Sequence, residues 1–222
     1  MTPSLRMNPL SDCRLYAFVD SAYLQGRQPA EIALQLCEGG ADIIQLRAKD
    51  WHEDEIREAA SAILPVTRAA EVPLVINDYW PLASGLGVEF CHLGQEDYFG
   101  TDDDPTPELS FPGPQLGLSS HAPEQAKAAM EADADYIAVG PVFPTATKPG
   151  RPAVTLDYVR WAAENIDCPW FAIGGITLDN LDEVLEAGAR RICVVSAILE
   201  ASDVTHACQQ FRERIASVPL DE

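Results

Sequence analysis

The chain is punctuated by short apolar runs without clean alternation, each following a helical stretch and a turn of small residues. Three places repeat this order closely: "LCEGGADIIQLR", "MEADADYIAVGP" and "LEAGARRICVVS". A short unbroken apolar run, rich in Val and Ile, suits a parallel strand buried on both faces. The recurrence therefore marks a repeated helix-to-strand junction. Further runs fall at about 14–19 ("RLYAFV"), 73–77 ("PLVIN"), 88–93 ("VEFCHL"), 115–118 ("QLGL") and 169–173 ("PWFAI"), which makes eight predicted strands.

Helical periodicity fills most of the intervals, in "PAEIALQLCEGG", "HEDEIREAASAILPVTRAA", "PEQAKAAMEAD", "LDYVRWAAENI", "LDNLDEVLEAG" and "VTHACQQFRERIASV". Eight strands alternating with about eight helical elements predict an α/β fold, a single-domain (β/α)8 TIM barrel over residues 14–218, behind an N-terminal extension of residues 1–13. An open doubly wound sheet is the structural alternative, and the count of eight favours closure. One unit is irregular. "YFGTDDDPTPELSFPGPQ" separates the fourth and fifth strands, and its prolines and acidic cluster predict a loop with at most a short turn over residues 98–114.

Composition narrows the function classes. With 35 Asp+Glu against 15 Lys+Arg, the formal charge of −20 gives a broadly acidic surface that repels nucleic acid and anionic lipid, so neither is an expected partner. The opening "MTPSLRMNPLSDC" lacks a signal-peptide apolar core, and no stretch approaches the ~20 apolar residues of a membrane span, so the expected location is cytoplasmic. Six scattered cysteines without a CxxC pair predict reduced, buried thiols. The four histidines, His52, His92, His121 and His206, have no zinc-ligand spacing.

In such a barrel, chemistry collects at the C-terminal strand ends. The second strand ends "IIQLRAKD", where Gln45, Arg47 and Lys49 alternate toward the barrel mouth and can hold a polyphosphate. The alternative is that Arg47 or Lys49 pairs with Asp50 or Asp78. The third and fourth strands end "VINDYW" and "CHLGQED", bringing Asn77, Asp78, Gln95, Glu96 and Asp97 to adjacent positions. Carboxylates from neighbouring strands suit a Mg²⁺ that also takes phosphate oxygens, although "ND" or "ED" alone is commonly a turn or helix cap.

The fifth strand ends "GLSSH", where Ser119 or Ser120 can hydrogen-bond a ligand or cap a helix, and His121 has no assigned role. Only three lysines occur, Lys49, Lys127 and Lys148, and the last lies in "AVGPVFPTATKPGRP". There Thr145, Thr147 and Lys148 can donate to an anion, or the prolines simply stiffen a surface loop. The seventh and eighth ends, "AIGGIT" and "VVSAI", offer Gly174, Gly175 and Ser196, the last read as opening the final helix. This is a second phosphate position, typical of barrels.

Together "QLRAKD", "INDYW", "HLGQED", "GLSSH", "ADYIAVGPVFPTATKPG", "AIGGIT" and "VVSAI" resemble the thiamine-phosphate synthase family, in order over about residues 14–202. That resemblance implies a transferase joining a hydroxymethylpyrimidine diphosphate to a thiazole phosphate, with release of pyrophosphate in a dissociative step. It implies that Gln45, Arg47, Lys49, Asn77, Ser119 and Lys148 hold the pyrimidine diphosphate, with Arg47, Lys49, Lys148 and Ser119 catalytic. Asp78 and Asp97 would hold Mg²⁺, and Thr145, Thr147, Gly175, Val195 and Ser196 the thiazole phosphate.

Three features depart from the family pattern. The segment after Asp97 is richer in Pro and Asp than the helix usual there, and Thr155 stands where members often have glycine, so the loop after Lys148 is expected to close differently. Ala146, between the two threonines, occupies a variable place. Two rival functions are a thiazole tautomerase, disfavoured by the "GQED" carboxylate and by proline in "GPVFPT", and a non-catalytic phosphate-ligand sensor, which would have no need of leaving-group stabilisation.

Overall fold

The computed structural model describes residues 10–100, 109, 112–145 and 153–220. Eight strands follow in chain order: β1 Leu15–Asp20, β2 Ile43–Arg47, β3 Leu74–Asn77, β4 Phe90–Leu93, β5 Gln115–Ser120, β6 Tyr136–Val139, β7 Trp170–Ile173 and β8 Ile192–Val194. Each pairs in parallel with the next, and β8 returns to β1 with Ile192 opposite Leu15 and Val194 opposite Ala17. The sheet is a closed barrel, as the count of eight predicts, and the open sheet is excluded.

Among the described residues the helices are α1 Pro29–Glu38, α2 Glu53–Ala69, α3 Trp80–Leu86, α4 Gln95–Phe99, α5 Pro123–Glu131, α6 Thr155–Asn165, α7 Leu181–Glu186, α8 Ser196–Leu199 and α9 Val204–Ala216. The six periodic stretches correspond to α1, α2, α5, α6, α7 and α9. Helices α3, α4 and α8 span seven residues or fewer, and unlike the equally short α7 they do not continue a longer periodic stretch of sequence. One expectation is corrected. Ser196 opens the single turn α8, whereas the final helix begins at Val204, where Asp203 accepts the His206 N–H at 2.9 Å.

Alternation sorts the strand residues into two layers. Tyr16, Phe18, Ile43, Val75, Phe90, Tyr136, Phe171 and Cys193 pack together inside the ring. Their neighbours, such as Leu15, Ala17, Ile44, Leu46, Leu74 and Ile76, pack outward in the larger core that includes the helices. Both faces are dry, which is why the strands read as unbroken apolar runs.

The repeated junction has a physical basis at the N-terminal end of the barrel. Asp42, just before β2, accepts the Arg14 and Leu15 N–H groups at 2.8 and 2.9 Å on one oxygen and faces Arg212 at 3.3 Å with the other. Asp135, just before β6, accepts the Leu116 N–H at 2.7 Å, and Glu89, just before β4, accepts that of Leu74 at 3.1 Å. An acid preceding one strand thus satisfies the free amide at the start of the previous strand. The third copy carries Arg191 there instead, which donates to the Ser11 carbonyl at 2.7 Å.

All six cysteines are free, and burial pushes the Cys13 and Cys208 thiols up to about 12 and those of Cys37 and Cys168 up to about 11. At neutral pH these groups stay protonated and unreactive. No described helix is long and apolar enough to cross a membrane.

Asp42 is buried, and removing its carboxylate strands two amides. Asp42→Ala is expected to lower stability by about 2–4 kcal/mol in urea denaturation, and Asp135→Ala, at a wetter site, by less.

Candidate active site

The C-terminal strand ends surround a cavity of about 220 Å³. It is lined by Gln45, Arg47, Lys49, Asn77, Asp78, Asp97, Ser119, Thr145, Gly175, Val195 and Ser196, so every residue that the resemblance assigns to the site and that lies in the described part of the chain reaches one space, whereas Gln95 and Ser120 do not line it. Thr147 and Lys148, with Ala146, lie outside the described residues.

On the β2 side both cations are matched by carboxylates. Lys49 Nζ lies 2.5 Å from Asp78, one of the two partners that the sequence offers, and the pair is substantially exposed. Arg47 pairs at 2.8 Å with Asp20, which is fully buried and also accepts the Ala22 N–H at 3.0 Å. Asp20 escapes notice in the sequence because the predicted first strand ends one residue before it.

Asp78 sits directly after β3 with φ +70°, a left-handed conformation that aspartate tolerates better than most residues. Its N–H donates to the His92 carbonyl at 2.9 Å, fixing the turn against β4. Asp97 lies in the first turn of α4, folded back over Gly94 so closely that a Cβ there would overlap its carboxylate. Both acids face the cavity, and neither side chain caps a helix.

Strand β5 runs two residues further than predicted, so Ser119 and Ser120 belong to the strand and point in opposite directions. Ser119 Oγ faces inward, 3.0 Å from His92 Nε2. Ser120 bonds outward to the Ala122 carbonyl and the Tyr158 hydroxyl. His121, also lining the cavity, uses Nδ1 against the Gly140 carbonyl, which ties the end of β5 to the end of β6.

The loop leaving β6 is stitched to β7 by Val142 N–H to Ile173 O at 2.8 Å and Phe143 N–H to Gly174 O at 3.0 Å. This close approach requires both glycines. Gly174 (φ +103°) has Pro141 where a Cβ would go, and Gly175 (φ +65°) has Phe143 and the Pro144 carbonyl at 2.8 Å from that point. At the far end of the same connection Thr155 adopts φ +66°. A β-branched residue there holds a conformation that glycine reaches without strain.

Sequence reasoning also missed Tyr16 and His92, which line the cavity, and Tyr136 beneath them. Each interrupts an apolar run at an inward position, and that parity is the signal available in the sequence.

A sequence profile for the family described as "Thiamine monophosphate synthase" matches residues 15–198. The chain belongs to the thiamine monophosphate synthase family. Within it, the thiamine-phosphate synthase of Thermus thermophilus is 51% identical over 183 residues, covering 81% of this chain and 85% of that protein. That of Acidothermus cellulolyticus is 45% identical over 213 residues, covering 94% and 97%. Among solved structures, thiamine phosphate pyrophosphorylase from Pyrococcus furiosus matches with a TM-score of 0.79 at 28% identity, over 95% of this chain and 98% of that one.

The buried Asp20 carboxylate holds the Arg47 guanidinium at the cavity wall. Asp20→Asn keeps the shape and removes the charge. It is expected to cost about 3 kcal/mol in urea denaturation.

Proposed function

We propose that this chain is a thiamine-phosphate synthase, a transferase that joins 4-amino-2-methyl-5-(diphosphooxymethyl)pyrimidine to 4-methyl-5-(2-phosphooxyethyl)thiazole, yielding thiamine phosphate and pyrophosphate. The observation that carries this is the convergence of cations, carboxylates and a glycine-lined loop on one cavity. The names of its curated relatives support it.

The residue types suit two anionic substrates. Gln45, Arg47, Lys49, Asn77 and Ser119 line one side and would hold the diphosphate, with Lys148 joining them. Thr145, Gly175, Val195 and Ser196 line the other and would hold the single phosphate, with Thr147. The glycines matter because backbone amides can approach a phosphate only where no Cβ intervenes.

Asp78 and Asp97 fit Mg²⁺, since that ion is commonly held by one or two carboxylates together with substrate phosphates, and its chemistry would be to neutralise diphosphate oxygens. The bond that breaks is the one from the pyrimidine methylene carbon to the diphosphate oxygen, whose electron pair leaves with pyrophosphate. The bond that forms uses the lone pair of the thiazole nitrogen on that carbon. No general base is required. Arg47, Lys49 and Lys148 supply positive charge where the leaving anion grows, and Ser119 supplies a hydrogen bond.

Incubating the purified protein with both substrates and Mg²⁺ is expected to release pyrophosphate and thiamine phosphate in equal amounts, and EDTA to stop it. Isomerised thiazole without pyrophosphate would replace this proposal with a tautomerase. A ligand-induced rise in melting temperature without product would replace it with a sensor. Lys148→Ala is expected to lower kcat roughly 100-fold or more while leaving the melting temperature almost unchanged; an unaltered rate would remove Lys148 from the site.

A further inference from the structure

A row of five hydrogen-bonded side chains crosses the barrel interior beneath the cavity, joining residues on opposite walls. Gln45 Nε2 donates to the Tyr16 hydroxyl at 2.5 Å. The Tyr16 and Tyr136 hydroxyls are 2.9 Å apart, the Tyr136 hydroxyl is 3.1 Å from His92 Nδ1, and His92 Nε2 is 3.0 Å from Ser119 Oγ. Five strands, β2, β1, β6, β4 and β5, each contribute one member.

The row is built into the packing. Tyr16 and Tyr136 are 1% and 0% exposed, Phe171 meets both rings edge-on, and His92 stacks on Tyr136 with centroids 5.6 Å apart. Gly117 makes the room, since a Cβ there would collide with the Tyr136 ring. Burial pushes both tyrosine hydroxyls well above their ordinary pKa, so the row keeps its hydrogens.

Each hydroxyl has one hydrogen, and a neutral imidazole has one N–H, so a direction imposed at one end propagates to the other. The Tyr16 oxygen accepts from Gln45, which sends its own hydrogen to Tyr136. Tyr136 in turn donates to His92 Nδ1. The imidazole then carries its hydrogen on Nε2 and donates to Ser119 Oγ. Ser119, receiving a hydrogen bond on its oxygen, has its O–H left to donate into the cavity.

We propose that this row sets the donor direction of Ser119 toward an acceptor oxygen of the substrate, with Tyr16, Tyr136 and His92 as positioning residues. It rests on the proposed placement of the diphosphate substrate against Ser119. A tyrosine present for packing alone would be indifferent to the direction of its hydrogen bond, whereas these hydroxyls act through it.

Gln45→Glu provides an isosteric reversal. Burial raises a carboxyl's pKa, so the variant is measured at a pH where it is ionised; a carboxylate can only accept, so Tyr16, Tyr136 and Ser119 then turn their hydrogens around and His92 moves its hydrogen to Nδ1. The ¹⁵N shifts of His92, assigned by their loss in His92→Gln, are expected to report Nε2–H in the unmodified protein and Nδ1–H in Gln45→Glu. In kinetics, Tyr136→Phe cuts the row. It is expected to lower kcat/KM about tenfold with Ser119 in place and by less than about twofold in the Ser119→Ala background.

An Nδ1–H tautomer in the unmodified protein, an unchanged tautomer in Gln45→Glu, or an equal kinetic cost in both backgrounds would overturn the proposal. An unmodified protein that releases no pyrophosphate would instead overturn the proposed function, and the tautomer measurements would still decide the direction of the row.

Discussion

Closing eight parallel strands into one ring turns every second side chain into a space shut off from water. Apolar residues fill that space at low cost, so Ile43, Val75, Phe90 and Phe171 build its floor. A polar residue at an inward position must instead find a partner among the other inward residues, because an unmet donor or acceptor there costs on the order of 1–3 kcal/mol. The inward polar groups consequently form linked sets. Asp20 holds Arg47, and Gln45, Tyr16, Tyr136, His92 and Ser119 hold one another. The closed ring is thus both the source of stability and the reason that the candidate site is rigid.

That constraint also explains what could be read from the sequence. Strands buried on both faces appear as unbroken apolar runs, and all eight were legible to within a few residues. Candidate site residues were legible wherever they directly follow such a run, as Lys49, Asp78 and Asp97 do, because the end of a barrel strand is where polar residues have room. Tyr16, His92 and Tyr136 lie inside the runs. Their partners stand on strands up to 120 residues away in sequence, between Tyr16 and Tyr136, and no local pattern encodes that pairing. The short helices α3, α4 and α8 were hidden for a different reason: a helix of one or two turns is fixed by the strand ends it joins, and it need not repeat an apolar stripe.

The two ion pairs at the cavity wall are physically unlike. Arg47 and Asp20 are 14% and 0% exposed, and Asp20 uses both oxygens, so separating them would leave a buried charge without its partner. Lys49 and Asp78 are 47% and 26% exposed, and a pair at that exposure contributes roughly 0–1 kcal/mol. The first pair is a fixture of the wall. The second can be exchanged for a ligand at little expense to the fold.

An exchangeable pair answers a difficulty that the composition raises. A chain of net charge −20 must admit anions into a cavity that also contains carboxylates. Pairing Lys49 with Asp78 keeps both charged groups compensated while no anion is present, and an anion can take the ammonium while a cation takes the carboxylate. Arrival of the two together changes the charge of the cavity far less than arrival of the anion alone, which would leave Asp78 uncompensated beside it. Electrostatics of this kind favours an anion delivered with its own cation over a free anion, and the pairing of a scarce lysine with an αL aspartate at adjacent strand ends is what makes such an exchange possible.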